Sequence, residues 1–198
     1  MQTLIRSLVF MFTTVAVQSA LADGIRLGQP AYGGTGCPAG SASVTLSPNN
    51  SALSILFDQY VVDTAGRGFD RKNCNIAVPV HVPQGFSVAV MAIDYRGFLQ
   101  LPEGARANLS VNYFLAGQGR GVTSSKPFFG PSSEDYLTSD RLGLESIVWS
   151  GCGADTILRA NTSLLVMSNP NHEEAMATVD SADIRSGLIY HLQWKTCR

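Results

Sequence analysis

The chain has 198 residues, of which 45% are hydrophobic, enough for one domain with a sizeable core. Its 14 Lys and Arg residues against 15 Asp and Glu residues give a formal net charge of −1, so it lacks the basic surplus of a nucleic-acid-binding domain. Charged residues are only 15% of the chain, a low share that is common in secreted β proteins. We therefore expect no nucleic-acid partner, and a polar surface made from Ser, Thr, Asn and Gly.

The N-terminal residues have the pattern of an export signal. Arg6 precedes the apolar run SLVFMFTTVAV, and ALA at residues 20–22 supplies the small residues of a cleavage site. A membrane anchor is the alternative, but a spanning helix needs roughly 20 apolar residues and this run is broken at Gln18. We predict a signal peptide over 1–22 and one secreted domain over 23–198, with no membrane span, in an extracellular or periplasmic location.

Most of the chain after a Gly- and Pro-rich lead-in over residues 23–40 shows the period-two alternation of β-strands. The first such segments are SASVTLS and SALSILFDQYVV, and later ones are ANLSVNYFLAG, LESIVWSGC, DTILRANTSLLVMS and GLIYHLQWKTC. Seven to nine strands separated by turn signals, with almost no helical periodicity, predict an all-β fold. We expect a single-domain antiparallel β-sandwich.

The segment RKNCNIAVPVHVPQGFSVAV, at residues 71–90, predicts a central hairpin. Ile76, Val78 and Val80 lie on one face of its first strand. Pro79 lacks a backbone donor, so we expect this strand at a sheet edge or with a bulge. Pro83–Gly85 has turn chemistry and leads into FSVAVMAIDYRGF, which is apolar on both faces and so is typical of a buried strand.

Two later segments carry weaker signals. Residues 117–141, GQGRGVTSSKPFFGPSSEDYLTSDR, form the longest stretch that resembles a loop. Residues 169–186 are polar and predict one short helix from Glu173 to Val179.

The four cysteines, Cys37, Cys74, Cys152 and Cys197, all follow the predicted signal peptide. An even number in an exported chain, with no CxxC motif or Cys/His cluster, predicts two disulfides with three possible pairings. We favour Cys37–Cys74 and Cys152–Cys197, the pairings between neighbours in sequence. Each would close a loop worth roughly 3 to 4 kcal/mol in the chain-entropy model.

Residues with catalytic chemistry are present but form no recognisable motif. His81, His172 and His191 lack HxH or HExxH spacing, and no GxSxG occurs, so we assign no metal, cofactor or catalytic residue. Three acidic pairs are interpreted as solvated turns and a helix cap: Glu134–Asp135, Glu173–Glu174 and Asp180/Asp183.

Four aromatic residues are candidate ligand contacts. A bulge at Arg96–Gly97 would turn Tyr95 or Phe98 toward a ligand, although an Asp–Arg pair at a strand end is the simpler interpretation. The segment 127–136 could stack its aromatic rings on sugars or fold back as a lid; the rings are Phe128, Phe129 and Tyr136.

Three N-x-S sequons begin at Asn49, Asn108 and Asn161. They are acceptors for N-linked glycans only in a eukaryotic secretory pathway. Asn108 and Asn161 fall on predicted strands, so we expect their side chains to face solvent.

Several motifs in a fixed order resemble those of a known family. GCPAG, RKNC, PQGF, DYRG, VWSGCG and a terminal LQWKTC occur between Gly36 and Cys197. In that order they resemble a family of small secreted proteins from fungi and bacteria, described only as a domain of unknown function. The resemblance implies secretion and a frame of four cysteines. It supplies no catalytic residues.

These observations give three functional hypotheses. The first is a non-enzymatic secreted sandwich that binds polysaccharide or another surface component, because charge is low and the loops are rich in Gly, Ser and aromatics. The second is a secreted hydrolase using His81, His191 or an acidic pair. The third is a structural or protein-interaction module. The composition does not separate them, and it leaves the oligomeric state open.

Overall fold

The computed structural model describes residues 24–46, 52–118, 121–141, 149–179 and 188–197, so the predicted signal peptide lies outside the described residues. These residues form thirteen strands and no helix. The strands are β1 Arg26–Leu27, β2 Ala31–Gly33, β3 Ala42–Leu46, β4 Ala52–Phe57, β5 Val61–Asp63, β6 Phe69–His81, β7 Phe86–Leu101, β8 Arg106–Leu115, β9 Val122–Phe129, β10 Ser132–Arg141, β11 Thr156–Met167, β12 Met176–Thr178 and β13 Leu188–Thr196.

The strands form two antiparallel sheets. The first sheet has the order β1-β6-β11-β8-β9, and β2 also pairs with β6. The second has the order β3-β4-β13-β7-β12-β5, and β10 also pairs with β7. Inward side chains of both sheets share one core. The predicted antiparallel all-β sandwich is confirmed, with more strands than expected because several have only two or three residues.

Alternation along single strands explains the core. In β8, Leu109, Val111 and Tyr113 are buried, whereas Asn108, Ser110 and Asn112, which alternate with them, are only half-buried. Strands β6 and β11 have the same pattern over most of their length. Because successive side chains of a strand point to opposite faces, every second residue packs inward.

The predicted hairpin of β6 and β7 is wrong, because β6 belongs to the first sheet and β7 to the second. Pro83–Gly85 therefore carries the chain from one sheet across to the other, with Gly85 at a φ of 84°. A strand with one buried face can pair with the next strand or face it across the core. The alternation of buried and exposed residues along the strand is the same in both cases, so it does not distinguish them.

The prediction that the strand of Pro79 is an edge strand or carries a bulge is wrong, because β6 pairs with β11 in a continuous register and with β1 and β2 on its other side. Gly28 N donates to Pro79 O at 2.7 Å, in the gap between the short strands β1 and β2. In an antiparallel strand the N and O of one residue point to the same side, so the missing donor of Pro79 falls where no strand pairs.

Two further predictions are corrected. The predicted loop at 117–141 contains β9 and β10, and the predicted helix near Glu173 contains β12 instead. Strand β9 alternates in burial, but its sequence VTSSKPFF places hydroxyl groups on both faces and so hides the alternation. Strand β12 is too short for a period to show. The predicted strand at 144–152 lies largely outside the described residues, although Trp149 bridges to Ala89.

Both favoured disulfides are confirmed as Cys37–Cys74 and Cys152–Cys197. Cys37 and Cys74 are fully buried, and Cys74 lies in the middle of β6. Cys152 is exposed, and Cys197 directly follows β13. One disulfide is thus part of the core, and the other ties down the end of the last described strand.

A buried tyrosine links the two sheets. Tyr60, just before β5, donates its hydroxyl to Lys72 O at 3.2 Å, and Thr162 Oγ1 of β11 lies 3.1 Å from that hydroxyl. Burial raises the pKa of Tyr60 to about 12. The hydroxyl therefore joins the second sheet to the underside of the first.

Candidate functional site

The outward face of the first sheet carries two complete rows of uncharged polar side chains, one residue from each of β6, β11, β8 and β9. We call these eight residues the polar grid. The rows are Asn75, Asn161, Asn112 and Thr123, and Asn73, Ser163, Ser110 and Ser125. Neighbouring strands lie about 4.8 Å apart and successive outward residues about 7 Å apart, so the grid spans roughly 14 Å across the strands.

The polar grid is supported by the core beneath it. Asn73 and Asn75 flank the buried Cys74, and Asn161 and Ser163 flank the buried Thr162. The disulfide and the Tyr60 hydrogen bonds thus hold β6 and β11 directly under the grid. The backbone that carries the grid side chains is therefore held in a fixed position.

Hydrogen bonds fix part of the grid. Asn112 Nδ2 donates to Thr123 Oγ1 at 2.7 Å, and Ser125 Oγ donates to Asn108 Oδ1 at 2.9 Å. Asn108 Nδ2 in turn donates to Ser110 Oγ at 2.9 Å. Two of these bonds cross between strands and one runs along β8, and together they orient the side chains of β8 and β9.

Other grid groups face solvent. Within the described residues, the side chains of Asn75, Asn161 and Ser163 have no hydrogen-bond partner in the protein. Each amide offers two donors and an acceptor, and a hydroxyl offers one donor and two acceptors. The side of the grid formed by β6 and β11 can therefore bind a polar ligand without breaking internal bonds.

Aromatic rings lie beyond both ends of the grid. Phe69 and Phe129, 64% and 68% exposed, occupy the outer strands of the second row beyond one end, and Met167 and Arg106 lie between them. One row separates them from the grid: Arg71, Leu165, Asn108 and Pro127. Phe114 lies beyond the opposite end of the grid, next to Arg159. A ligand along the strands would meet apolar surface at each end and polar groups in the middle.

The charge of this face has one sign. Arg71, Arg106 and Arg159 are exposed at its border, and Arg26 of β1 also faces outward. Among the described outward positions of β1, β2, β6, β8, β9 and β11, no side chain is a carboxylate. The face is therefore polar in the middle and basic at its border.

The four predicted aromatic contacts lie in different surroundings. Tyr95 is fully buried, and Tyr136 is buried with its hydroxyl donating to Thr178 O at 2.8 Å. Phe128 is half-buried, with its ring centroid 4.6 Å from that of Tyr136. Of the four, Phe129 alone is exposed.

The predicted bulge at Arg96–Gly97 does not occur, which explains why the two tyrosines point inward. The ladder between β7 and β10 is regular there, with Tyr136 opposite Gly97. The tyrosine ring fills the space that a Cβ at Gly97 would occupy. Ligand contact by Phe129 stays a prediction.

One histidine lies beside a carboxylate. His81 Nδ1 is 2.9 Å from Asp155 Oδ1, which also accepts from Val82 N at 2.9 Å. They line a cavity of about 490 Å³ together with Arg26, Leu27, Gly28, Pro79, Val80, Ala116, Thr156 and Ile157. In this described lining Thr156 has the one hydroxyl group, and it donates to Ala116 O at 3.3 Å. The cavity pairs a base with an orienting carboxylate and brings no nucleophile to the base.

The remaining candidates for hydrolase chemistry are dispersed. His172 is exposed, with a φ of 56°, and the His191 side chain lies outside the described residues, as do Asp180 and Asp183. Glu173 accepts a hydrogen bond from Asn169. Glu134 and Asp135 are adjacent on β10 and so point to opposite faces. The described residues bring none of these side chains to His81.

Within the described residues, no three His, Cys, Asp or Glu side chains form a group that could hold a metal ion. In the same part of the chain, no helix has the length and hydrophobicity needed to cross a membrane.

Sequence comparison gives a family match and one relative. Residues 23–197 match the family described as Domain of unknown function (DUF4360). An "Uncharacterized secreted protein" of Arthroderma benhamiae is 34% identical over 170 residues, which cover 84% of this chain and 69% of the relative.

Structure comparison gives weaker similarities. A TmCBM61 structure in complex with β-1,4-galactotriose matches 85% of this chain and 88% of its own length, at 12% identity and a TM-score of 0.32. The enzymatically active domain of bacteriophage CBA120 tailspike protein 4 matches 85% of this chain and 19% of its own length, at 14% identity and a TM-score of 0.22. At such TM-scores neither similarity bears on function.

Proposed function

The chain belongs to the DUF4360 family, and we propose that it is exported and binds a polysaccharide through the outward face of its first sheet. The observation that carries the proposal is the polar grid on the same face as the exposed rings of Phe69 and Phe129, two rows beyond one of its ends. Export is supported by the description of the relative as secreted and by the two disulfides, which persist in oxidising compartments.

The grid suits the chemistry of sugars. A sugar presents hydroxyl groups that both donate and accept, and Asn75, Asn161 and Ser163 offer donors and acceptors that the protein itself does not use. The CH-rich face of a sugar ring packs on aromatic rings, as Phe69 and Phe129 would allow. Polar and apolar contacts to the same molecule are both available.

The shape favours a polymer over a single sugar. The row with Phe69 and the row with Phe114 are four outward positions apart, roughly 27 Å along the strands. An open face of that length would leave most of a monosaccharide in water. A chain of several sugar residues would contact the grid and the rings together.

The test is a pull-down on insoluble polysaccharides. We would export the full chain to a bacterial periplasm, which forms disulfides and leaves the sequons unmodified, and incubate it with cellulose, chitin, β-glucan and calcium pectate. We expect saturable retention on at least one polymer, competed by soluble fragments of it. Asn75→Ala/Asn161→Ala should weaken it about tenfold, as expected for two lost hydrogen bonds at about 0.5 to 1.5 kcal/mol each.

A matched control lies on the other sheet. Ser133 and Gln100 are exposed cross-strand partners on β10 and β7, as Asn161 and Asn75 are on β11 and β6. Ser133→Ala/Gln100→Ala should leave retention unchanged. Retention on no polymer, or equal weakening by both double variants, would contradict the proposal and direct the search to protein partners.

A further inference from the structure

We infer that the polysaccharide is acidic, with carboxylate or sulfate groups recurring along its chain; this inference rests on the proposed function. It comes from the arginines of the same face. Arg71, Arg106 and Arg159 are exposed on three adjacent strands, β6, β8 and β11. They border the polar grid at both of its ends.

These arginines are available to a ligand. Within the described residues the guanidinium groups of Arg71, Arg106 and Arg159 form no ion pair. Two carboxylates at the rim of the sheet are engaged elsewhere, Asp70 with Arg67 at 3.6 Å and Asp155 with His81 at 2.9 Å. An approaching anion therefore meets positive charge that no carboxylate of this face neutralises.

Arginine also sets the chemistry of the ligand. Its planar guanidinium presents parallel N–H donors that match the two oxygens of a carboxylate or sulfate. A face that bound only neutral sugars would gain little affinity from the positive charge of these guanidinium groups. The grid would then hydrogen-bond the sugar hydroxyls while the border pairs with the acidic substituents.

The spacing requires repeated acidic groups. Arg71 and Arg106 are two strands and one outward position apart, about 12 Å between Cα atoms. Arg71 and Arg159 are three outward positions apart, about 20 Å. One sugar residue cannot reach both members of the second pair, so a ligand that uses all three must carry charge at intervals.

The attraction belongs to this face and not to the whole molecule. The chain has a formal net charge of −1, so a polyanion gains nothing from the average charge of the protein. The second sheet turns both signs outward, with Asp94 and Arg96 on β7 and Asp135 on β10. A polyanion should therefore bind to the first sheet and not to the second.

The test compares pairs of polymers that share a backbone and differ in charge. The first pair is soluble polygalacturonate, which carries carboxylates, and its neutral methyl-esterified form. The second pair is dextran sulfate, which carries sulfates, and its neutral twin dextran. By calorimetry of the full oxidised chain, we expect at least one charged polymer to bind tenfold or more tightly than its neutral twin. That preference should shrink as salt rises from about 0.05 to 0.5 M, because salt screens exposed charges.

Single arginine variants locate the effect. Arg71→Gln, Arg106→Gln and Arg159→Gln should each weaken binding of the charged polymer several-fold and weaken binding of the neutral polymer much less. Lys195→Gln is the matched loss of one exposed charge, since Lys195 lies on β13 of the second sheet over the Trp149 ring. It should change neither affinity. Circular dichroism would confirm that each variant is folded.

The possible results separate the inference from the function on which it rests. Binding of charged and neutral twins with equal affinity would overturn the inference and leave polysaccharide binding intact. Binding of no polymer would overturn both. Competition by single-stranded DNA as strong as by the charged polymer would also overturn the inference, because the face would then be a general polyanion site.

Discussion

The two sheets of the sandwich meet solvent with different chemistry. The first presents amides, hydroxyls and arginines with no outward carboxylate among the described residues. The second mixes half-buried Asp94, Arg96 and Phe98 with the 63% exposed Leu137. Both faces follow from the same alternation over one shared core. Alternation thus determines which residues face outward but not their chemistry, and the functional proposal depends on that chemistry.

The two disulfides extend the contrast beneath the faces. Cys74 lies in β6 under the polar grid and is fully buried together with Cys37. Cys152 is exposed and pairs with Cys197 at the end of β13 in the second sheet. The first sheet is thus anchored from within the core, and the second at its periphery.

The largest expected effect tests this difference in anchoring. Cys37→Ala/Cys74→Ala should lower the free energy of unfolding by about 5 kcal/mol, since a cavity in the core adds to the loop-closure loss. Cys152→Ala/Cys197→Ala should cost about 3 to 4 kcal/mol, because its loop is of similar length but its site is exposed. Urea unfolding followed by circular dichroism measures both. An equal or larger cost for the second pair would contradict the comparison.

Mild reduction offers a second measurement on the unmutated chain. A low thiol concentration should open Cys152–Cys197 first, because access limits thiol attack. Alkylation and mass spectrometry would identify the opened bond. The partly reduced protein should still bind its polymer, because the grid lies above the other disulfide.

A second prediction concerns the close packing around β7. A Cβ at Gly97 would collide with Thr178 O and the Tyr136 ring, so Gly97→Ala should cost about 3 kcal/mol. Gly33, on β2 of the first sheet, has no atom within 4 Å of the corresponding Cβ position. Gly33→Ala should change stability by no more than about 1 kcal/mol. Similar melting temperatures for the two variants would show that Gly97 is not tightly enclosed.

Much of the core could be predicted because it depends on local rules. The alternation of β6, β8 and β11 predicted the fold class, and the even number of cysteines predicted two disulfides. The count left three pairings open, and the favoured pairing between neighbours in sequence is the one that the structure has. The partner of each strand could not be predicted. Pro83–Gly85 allows either a hairpin within one sheet or a crossing between two, and long-range pairing decides between them.

The site was less predictable because its residues come from four strands that are not consecutive in the chain. The sequons at Asn108 and Asn161 gave a usable signal, since both residues fall on strands and face outward as predicted. The grid residues that lie beside them can be identified only from the register of β6, β11, β8 and β9. The aromatic candidates had no such signal, because tyrosine suits a core as well as a ligand site.

A third prediction uses the hydroxyl group that joins the sheets. Burial raises the pKa of Tyr60 to about 12, against an ordinary value of 10.0. The unfolded chain therefore releases this proton before the folded protein does, and stability falls as pH rises from 10.0 toward about 12. The loss should be roughly 2 to 3 kcal/mol by the end of that window. Urea midpoints between pH 8 and 11.5 would measure it.

Variants assign this alkaline loss to one residue. Tyr60→Phe should lower stability by about 1 kcal/mol at pH 8, through lost hydrogen bonds, and should remove most of the fall above pH 10. Tyr32→Phe leaves Tyr60 in place and should keep the fall. An unchanged alkaline profile in Tyr60→Phe would show that another group causes it.

The smallest expected effect sharpens the contrast between the two faces. Asn75→Asp/Asn161→Asp adds two negative charges to the grid with almost no change in shape. An acidic polymer should then bind about tenfold more weakly, since each new contact between exposed like charges costs about 0.5 to 1 kcal/mol. The neutral twin of that polymer should be much less affected. Titration calorimetry of both polymers at low salt measures the difference.

Two controls make the result interpretable. Ser133→Asp/Gln100→Glu adds the same charge to the second sheet and should leave both affinities unchanged if the attraction belongs to one face. Asn75→Ala/Asn161→Ala removes the amides without adding charge, so it should weaken both polymers alike. If the aspartate variant also weakened both polymers alike, the amides would matter as hydrogen-bonding groups and the charge of the face would not. A selective weakening for the acidic polymer that shrinks as salt rises requires an anion beside the grid, because salt screens the repulsion between like charges.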